Sequence, residues 1–160
     1  MEEAAKDVVW VSPAKGKPAT GKYKVSIAYR DGFTASGMLA IGGGDAVGKA
    51  KLAGQILLDR LRRAGHVFAR SQVEIIGAGS LVPGLGVPAA PPAEVMLRVA
   101  VHDASRAAVE RFTKEFAPLV TAGPPGVTGY TTGRPHVREV FAYWPALVES
   151  SAVPARVEWE

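Results

Sequence analysis

The chain contains no cysteine. Disulfides, thiolate metal sites and cysteine nucleophiles are excluded together, and the composition suits a reducing compartment. Long apolar runs are missing as well. Nothing approaches the roughly 20 residues that a membrane-spanning helix needs. The first ten residues, MEEAAKDVVW, are acidic and lack the apolar stretch of a secretory leader. These absences lead to the expectation of a soluble, cytoplasmic protein that touches no membrane. Clustered basic charge is also scarce. The net charge is +4, and Lys and Arg are scattered along the sequence. The densest group, Arg60, Arg62 and Arg63, falls at the end of a helical pattern, where cations suit the helix dipole. Nucleic acid is therefore not an expected partner, and the strand EVMLRVAVH lacks the aromatic motif of an RNA-recognition sheet.

Familiar catalytic signatures are missing too. Gly42-Gly43-Gly44 precedes a helix but is not followed by the Lys and Ser or Thr of a phosphate loop. Ser80, in GAGSLVPG, does not sit in a GxSxG elbow. His66, His102 and His136 are too widely spaced to suggest metal ligands, so no metal is expected, and no cofactor or catalytic residue is indicated.

What is present is an ordinary globular mixture, 48% hydrophobic and 21% charged over 160 residues. That is enough for one domain with a substantial core. Residues 1–21 read as a lead-in, because Ser12 to Gly21 is rich in Pro, Gly and Lys. Residues 22–160 read as a single domain. Lys22 to Tyr29 alternates, with Tyr23, Val25, Ile27 and Tyr29 on one face, which is the period of a strand. Asp31-Gly32 before a second alternating run, Phe33 to Ile41, signals a hairpin. Asp45 is placed to cap a helix whose apolar face is Val47, Ala50, Ala53, Gly54, Leu57, Leu58 and Leu61. Gly65 is placed to end it.

Ser71 to Ala78 and Glu94 to His102 read as strands, the second with Val95, Leu97, Val99 and Val101 on one face. Asp103 would cap a second helix, Ala104 to Leu119, carrying Ala108, Phe112, Phe116 and Leu119 and disturbed near Pro118. A strand from Val137 to Tyr143 follows, with a further one near Arg156 to Trp159. From Phe33 the order is β-α-β-β-α-β. The expected fold is an α+β two-layer sandwich with a ferredoxin-like core and an additional N-terminal hairpin strand. One sheet face would stay open and would suit a second domain or subunit.

Gly123 to Arg134 has neither helical nor strand periodicity, and long structureless loops in compact domains usually carry function. It offers Thr128, Tyr130 and Arg134 as candidate ligand-binding residues. A guanidinium can grip a carboxylate or phosphate bidentately, and a tyrosine can hydrogen-bond a ligand or act as an acid. The same loop is also explained, and in preference, as a surface that packs on a neighbouring domain, with Tyr130 as anchor and Arg134 as an ion-pair partner.

Three blocks, KVSIAYRDGFTASGMLAIGG, VEIIGAGSLVPG and TAGPPGVTGYTTGRPHVREVFAYWPALVESSAV, occur in an order and spacing that resemble the carboxy-terminal part of the acyclic terpene utilisation family, the AtuA-type proteins. Many members read TNGPAGGG where this chain has Thr121 to Gly126, with Ala122 in place of the Asn. The resemblance implies a setting in bacterial catabolism of acyclic terpenoids such as citronellol and geraniol through coenzyme A thioesters. It implies no catalytic residue. Family members usually carry a much larger amino-terminal portion, so the resemblance implies a detached module that packs on that portion or forms a homo-oligomer. The alternatives are a small enzyme or an acyl- or carboxylate-binding domain using the loop 123–134, with acyl-coenzyme A or a carboxylate as ligand, and a self-associating regulatory domain.

Overall fold

A computed structural model describes residues 2–82, 90–129, 133–154 and 156–159. Two compact units emerge, one made of residues 1–28 and 143–160, the other of residues 29–142. Two long strands, β3 (Lys22–Gly42) and β7 (Arg138–Glu149), contribute to both.

In the larger unit β3 is followed by α1 (Ala46–Arg63), β4 (Arg70–Ile76), β5 (Glu94–Asp103), α2 (Arg106–Thr113), α3 (Phe116–Ala122) and β6 (Val127–Gly129). The strands lie in the order β4-β5-β3-β6, with antiparallel pairing at each step, and β7 also pairs with β3. A mixed fold of helices and a five-stranded antiparallel sheet is thus present. Alternation decides the burial. Ala35, Leu39 and Ile41 of β3 and Val95, Leu97, Val99 and Val101 of β5 share one face, and all are buried. Ala50, Ala53, Leu57 and Leu61 of α1, Val109 and Phe112 of α2, and Phe116 and Leu119 of α3 complete the core on that side. The interleaved residues of β3 and β5, from Thr34 to Ala40 and from Met96 to His102, are only half-buried.

The helices end where local chemistry stops them. Asp45 caps α1 by accepting from the Gly48 amide at 3.1 Å. Gly65, at φ +83, closes it with the amide of His66 bonded back to Leu61. The expected second helix is split. Pro118 lacks the N–H that would reach the Lys114 carbonyl, and its ring crowds that carbonyl. The first segment therefore stops at Thr113, and Pro118 falls in the first turn of α3, where no intrahelical donor is needed. The cap of α2 is Ser105, not Asp103. Asp103 instead accepts from the amides of Ser105 and Ala69 at 2.8 and 3.1 Å.

The Asp31-Gly32 hairpin does not form, and Lys22–Gly42 is one continuous strand. Gly32 takes φ +88 without reversing the chain, and a Cβ there would collide with the Asp103 carbonyl. The pair is a kink against the end of β5, held by His102 Nε2 donating to the Asp31 carbonyl. Other expectations also shift. Residues 156–159 form no strand, and Val127–Gly129 form a short one inside the supposedly structureless loop.

The smaller unit holds β1 (Glu2–Ala5) and β2 (Val8–Trp10), an antiparallel pair within the stretch expected to be a lead-in. It also holds the first part of β3 and the last part of β7. Lys22 Nζ meets Glu149 Oε1 at 3.1 Å, the Ser150 amide donates to the Gly21 carbonyl at 2.9 Å, and a 3-10 turn (Ser150–Ala152) follows β7. Among its described residues no side chain is buried. Tyr23 and Ile27, on the apolar face of the alternating run, are exposed.

Candidate functional site

The half-buried face of the sheet in the larger unit can be assembled row by row, because residues directly opposite in register share a face. Thr34, His102 and Arg70 form one row. Ser36, Ala100 and Gln72 form the next, and Met38, Arg98 and Glu74 the third. Ala40, Met96 and Ile76 form the fourth, which Thr128 of β6 extends. Rows stand about 7 Å apart along the strands. Polarity falls across the face: hydroxyl, imidazole, guanidinium and amide groups at one end give way to methionine, alanine and isoleucine at the other.

Three concavities mark this surface. Thr34, Arg70, Gln72 and His102 line one of about 400 Å³, and Ala40, Ile76, Met96 and Glu94 line another of about 320 Å³. Between them, at the border with the segment leading into β7, lies one of about 310 Å³ walled by Ser36, Met38, Arg134, His136 and Arg138. Arg134 and Met38 also line a fourth cavity, of about 340 Å³, that reaches Phe116, Ala117 and Val120 of α3.

The charges differ in how they are satisfied. Arg98 is neutralised by Glu74 beside it. The Asp31 carboxylate lies 3.6 Å from His102 Nε2, while His102 Nδ1 is buried without a hydrogen-bond partner. Arg70, Arg134 and Arg138 make no ion pair among the described residues. Glu115 serves structure instead. It is 2% exposed and takes Arg60 on one oxygen at 2.7 Å and Arg111 on the other at 2.6 Å, tying α1 to the α2–α3 corner. No three His, Asp or Glu side chains among the described residues converge as metal ligands.

Of the three expected site residues, Thr128 is exposed opposite Ala40, in the apolar row and outside both cavities that Arg134 lines. Arg134 stands at the edge of the same face. Tyr130 lies outside the described residues. Sequence reasoning missed His136 and Arg138 as neighbours of Arg134 across a strand start, and Met38 as their floor. Alternation in the run Val137 to Tyr143 was visible, but not the strand beside which it would lie.

No described helix is long and apolar enough to cross a membrane. The family model described as "Acyclic terpene utilisation family protein AtuA" matches residues 1–159. No curated protein and no solved structure matches the chain.

Proposed function

Because the chain belongs to the AtuA family of acyclic terpene utilisation proteins, we propose that it serves acyclic terpenoid catabolism as an accessory module, packing on a larger AtuA-type polypeptide and lacking a complete active site of its own. One observation carries this reading. The unit formed by residues 1–28 and 143–160 buries none of its described side chains, yet it displays Val8, Val9, Trp10, Tyr23, Ile27, Tyr143, Trp144, Leu147 and Trp159 to solvent. Apolar surface on this scale marks an interaction site, and short strand pairs gain little stability unless something covers a face. The docking element of this reading is therefore this pair of extended strands, rather than the sheet face or the Gly-rich loop.

The larger unit is the scaffold in this proposal. Its order β3-α1-β4-β5-α2/α3-β6 and its spatial order β4-β5-β3-β6 support a ferredoxin-like core. A cytoplasmic setting accords with the cysteine-free composition.

Sedimentation velocity tests the docking. The chain mixed with a larger AtuA-type polypeptide from the same genome is expected to sediment as one complex, and the double variant Trp10→Ser/Trp144→Ser to sediment separately. A chain that sediments unchanged in the mixture contradicts the accessory reading. So does a chain that forms a dimer of its own and ignores the larger polypeptide, which is the outcome for a self-associating regulatory domain.

A further inference from the structure

We infer that the sheet face opposite the helices binds a small amphiphile, an anionic head group on an unbranched or branched apolar chain of medium length. The head is held by Arg134 and Arg138, and the chain lies along Met38, Met96 and Ile76. This site is built from residues of the larger unit alone and does not depend on the accessory reading.

The cations of this face select the head group. Three arginines border the face without a carboxylate partner among the described residues, but they are not equivalent. Arg70 stands in the row of His102, where the Asp31 carboxylate already supplies negative charge 3.6 Å from the imidazole. No acid lines the cavity that Arg134 and Arg138 share. Two guanidiniums bordering one concavity, with Ser36 as a further donor, make a receptor for a carboxylate or a phosphate, because charge-assisted hydrogen bonds to such groups are the strong ones.

The floor then sets what the rest of the ligand must be. Met38 lines the arginine cavity, and its row gives way at once to Ala40, Met96 and Ile76. The Arg98 charge in the row of Met38 is cancelled by Glu74. A ligand leaving the arginines along the strands passes from charge to thioether and aliphatic carbon within about one 7 Å row. Two methionines suit an apolar chain of imprecise shape, since the thioether adapts to what it touches. Glu94 lies at the far rim of the apolar end. It would repel a second anionic group there, which fixes the ligand's direction with its head at Arg134. Among the described residues, α1, α2 and α3 pack on the other face of the sheet.

Titration calorimetry of the full chain with decanoate, decanol and acetate, each below its aggregation concentration, tests the site. Decanoate is expected to bind at least about tenfold more tightly than either comparison compound, since one lacks the charge and the other the chain. Arg134→Ala/Arg138→Ala should weaken decanoate about tenfold and abolish its advantage over decanol. Met96→Gln should weaken decanoate and decanol together, and Arg62→Ala, on the exposed face of α1, should change neither. Circular dichroism melting of each variant establishes that it is folded. If Met96→Gln unfolds, amide chemical-shift changes in the wild-type chain replace it, with the expected shifts confined to residues 36–40, 74–77, 94–98 and 133–138. Equal affinities for decanoate and decanol overturn the proposal. So do an unaffected double arginine variant, shifts confined to residues 1–28 and 143–160, and no binding at all.

Discussion

Gly37 and Glu115 show how single residues set the packing between sheet and helices. The ring of Phe116 occupies the space that a side chain at Gly37 would fill, and that ring stands edge-on to Phe112 with centroids 5.1 Å apart. Gly37→Ala is expected to lower stability by about 1–3 kcal/mol through overpacking, read as a lower urea midpoint with an unchanged slope. Glu115 carries two guanidinium bonds from a buried position. Glu115→Ala removes both bonds and leaves its buried position unfilled, while Arg60 and Arg111 stay within reach of water, and should destabilise by about 1–2 kcal/mol, measured the same way. Gly32→Ala is expected to cost at least about 1 kcal/mol, because φ +88 and the nearby Asp103 carbonyl both oppose a Cβ. A hairpin turn residue would have tolerated the change less specifically; here Asp103→Ala should not relieve the loss, since the colliding atom is backbone.

At the scale of elements, periodicity told the truth wherever packing enforces it. The apolar faces of α1 and β5 are buried nearly residue for residue as spacing implies, since a helix or strand with one covered face must alternate. Val109 of α2 is core where Ala108 was expected, because both fit the spacing to Phe112 and Phe116, and only packing against the sheet decides that Val109 is the buried one. The Asp-Gly signal failed for a different reason. Turn chemistry permits a positive φ but does not say whether the chain reverses, and here Gly32 takes that φ at the point where the pairing of β3 with β5 begins. The Gly-rich loop hid β6 because one buried residue, Val127 opposite Ile41, gives no period at all. Caps remain the most portable signal. Ser105→Ala should cost about 1 kcal/mol, visible as a lower thermal midpoint, with Asp45→Ala at least as costly.

For the molecule as a whole, stability should be unevenly shared. Residues 33–42 and 94–103 lie in paired strands over the core, and their amides are expected to exchange with solvent slowly. Those of β1 and β2, where none of the described side chains is buried, should exchange fastest, as mass spectrometry of deuterated fragments would show. The candidate site was only partly legible for a related reason. Arg134 could be chosen from its loop, but its neighbours come from β3 and the start of β7, joined by sheet pairing that no local pattern announces. All three tryptophans, Trp10, Trp144 and Trp159, lie in the smaller unit and are 66%, 62% and 92% exposed. Fluorine NMR of the chain labelled with fluorotryptophan therefore reads that unit alone. With a larger AtuA-type polypeptide added, the account predicts that the Trp10 and Trp144 resonances, assigned by single substitution, shift and broaden. Resonances that stay in place while the polypeptide is bound, or that do not respond because nothing binds, would contradict it.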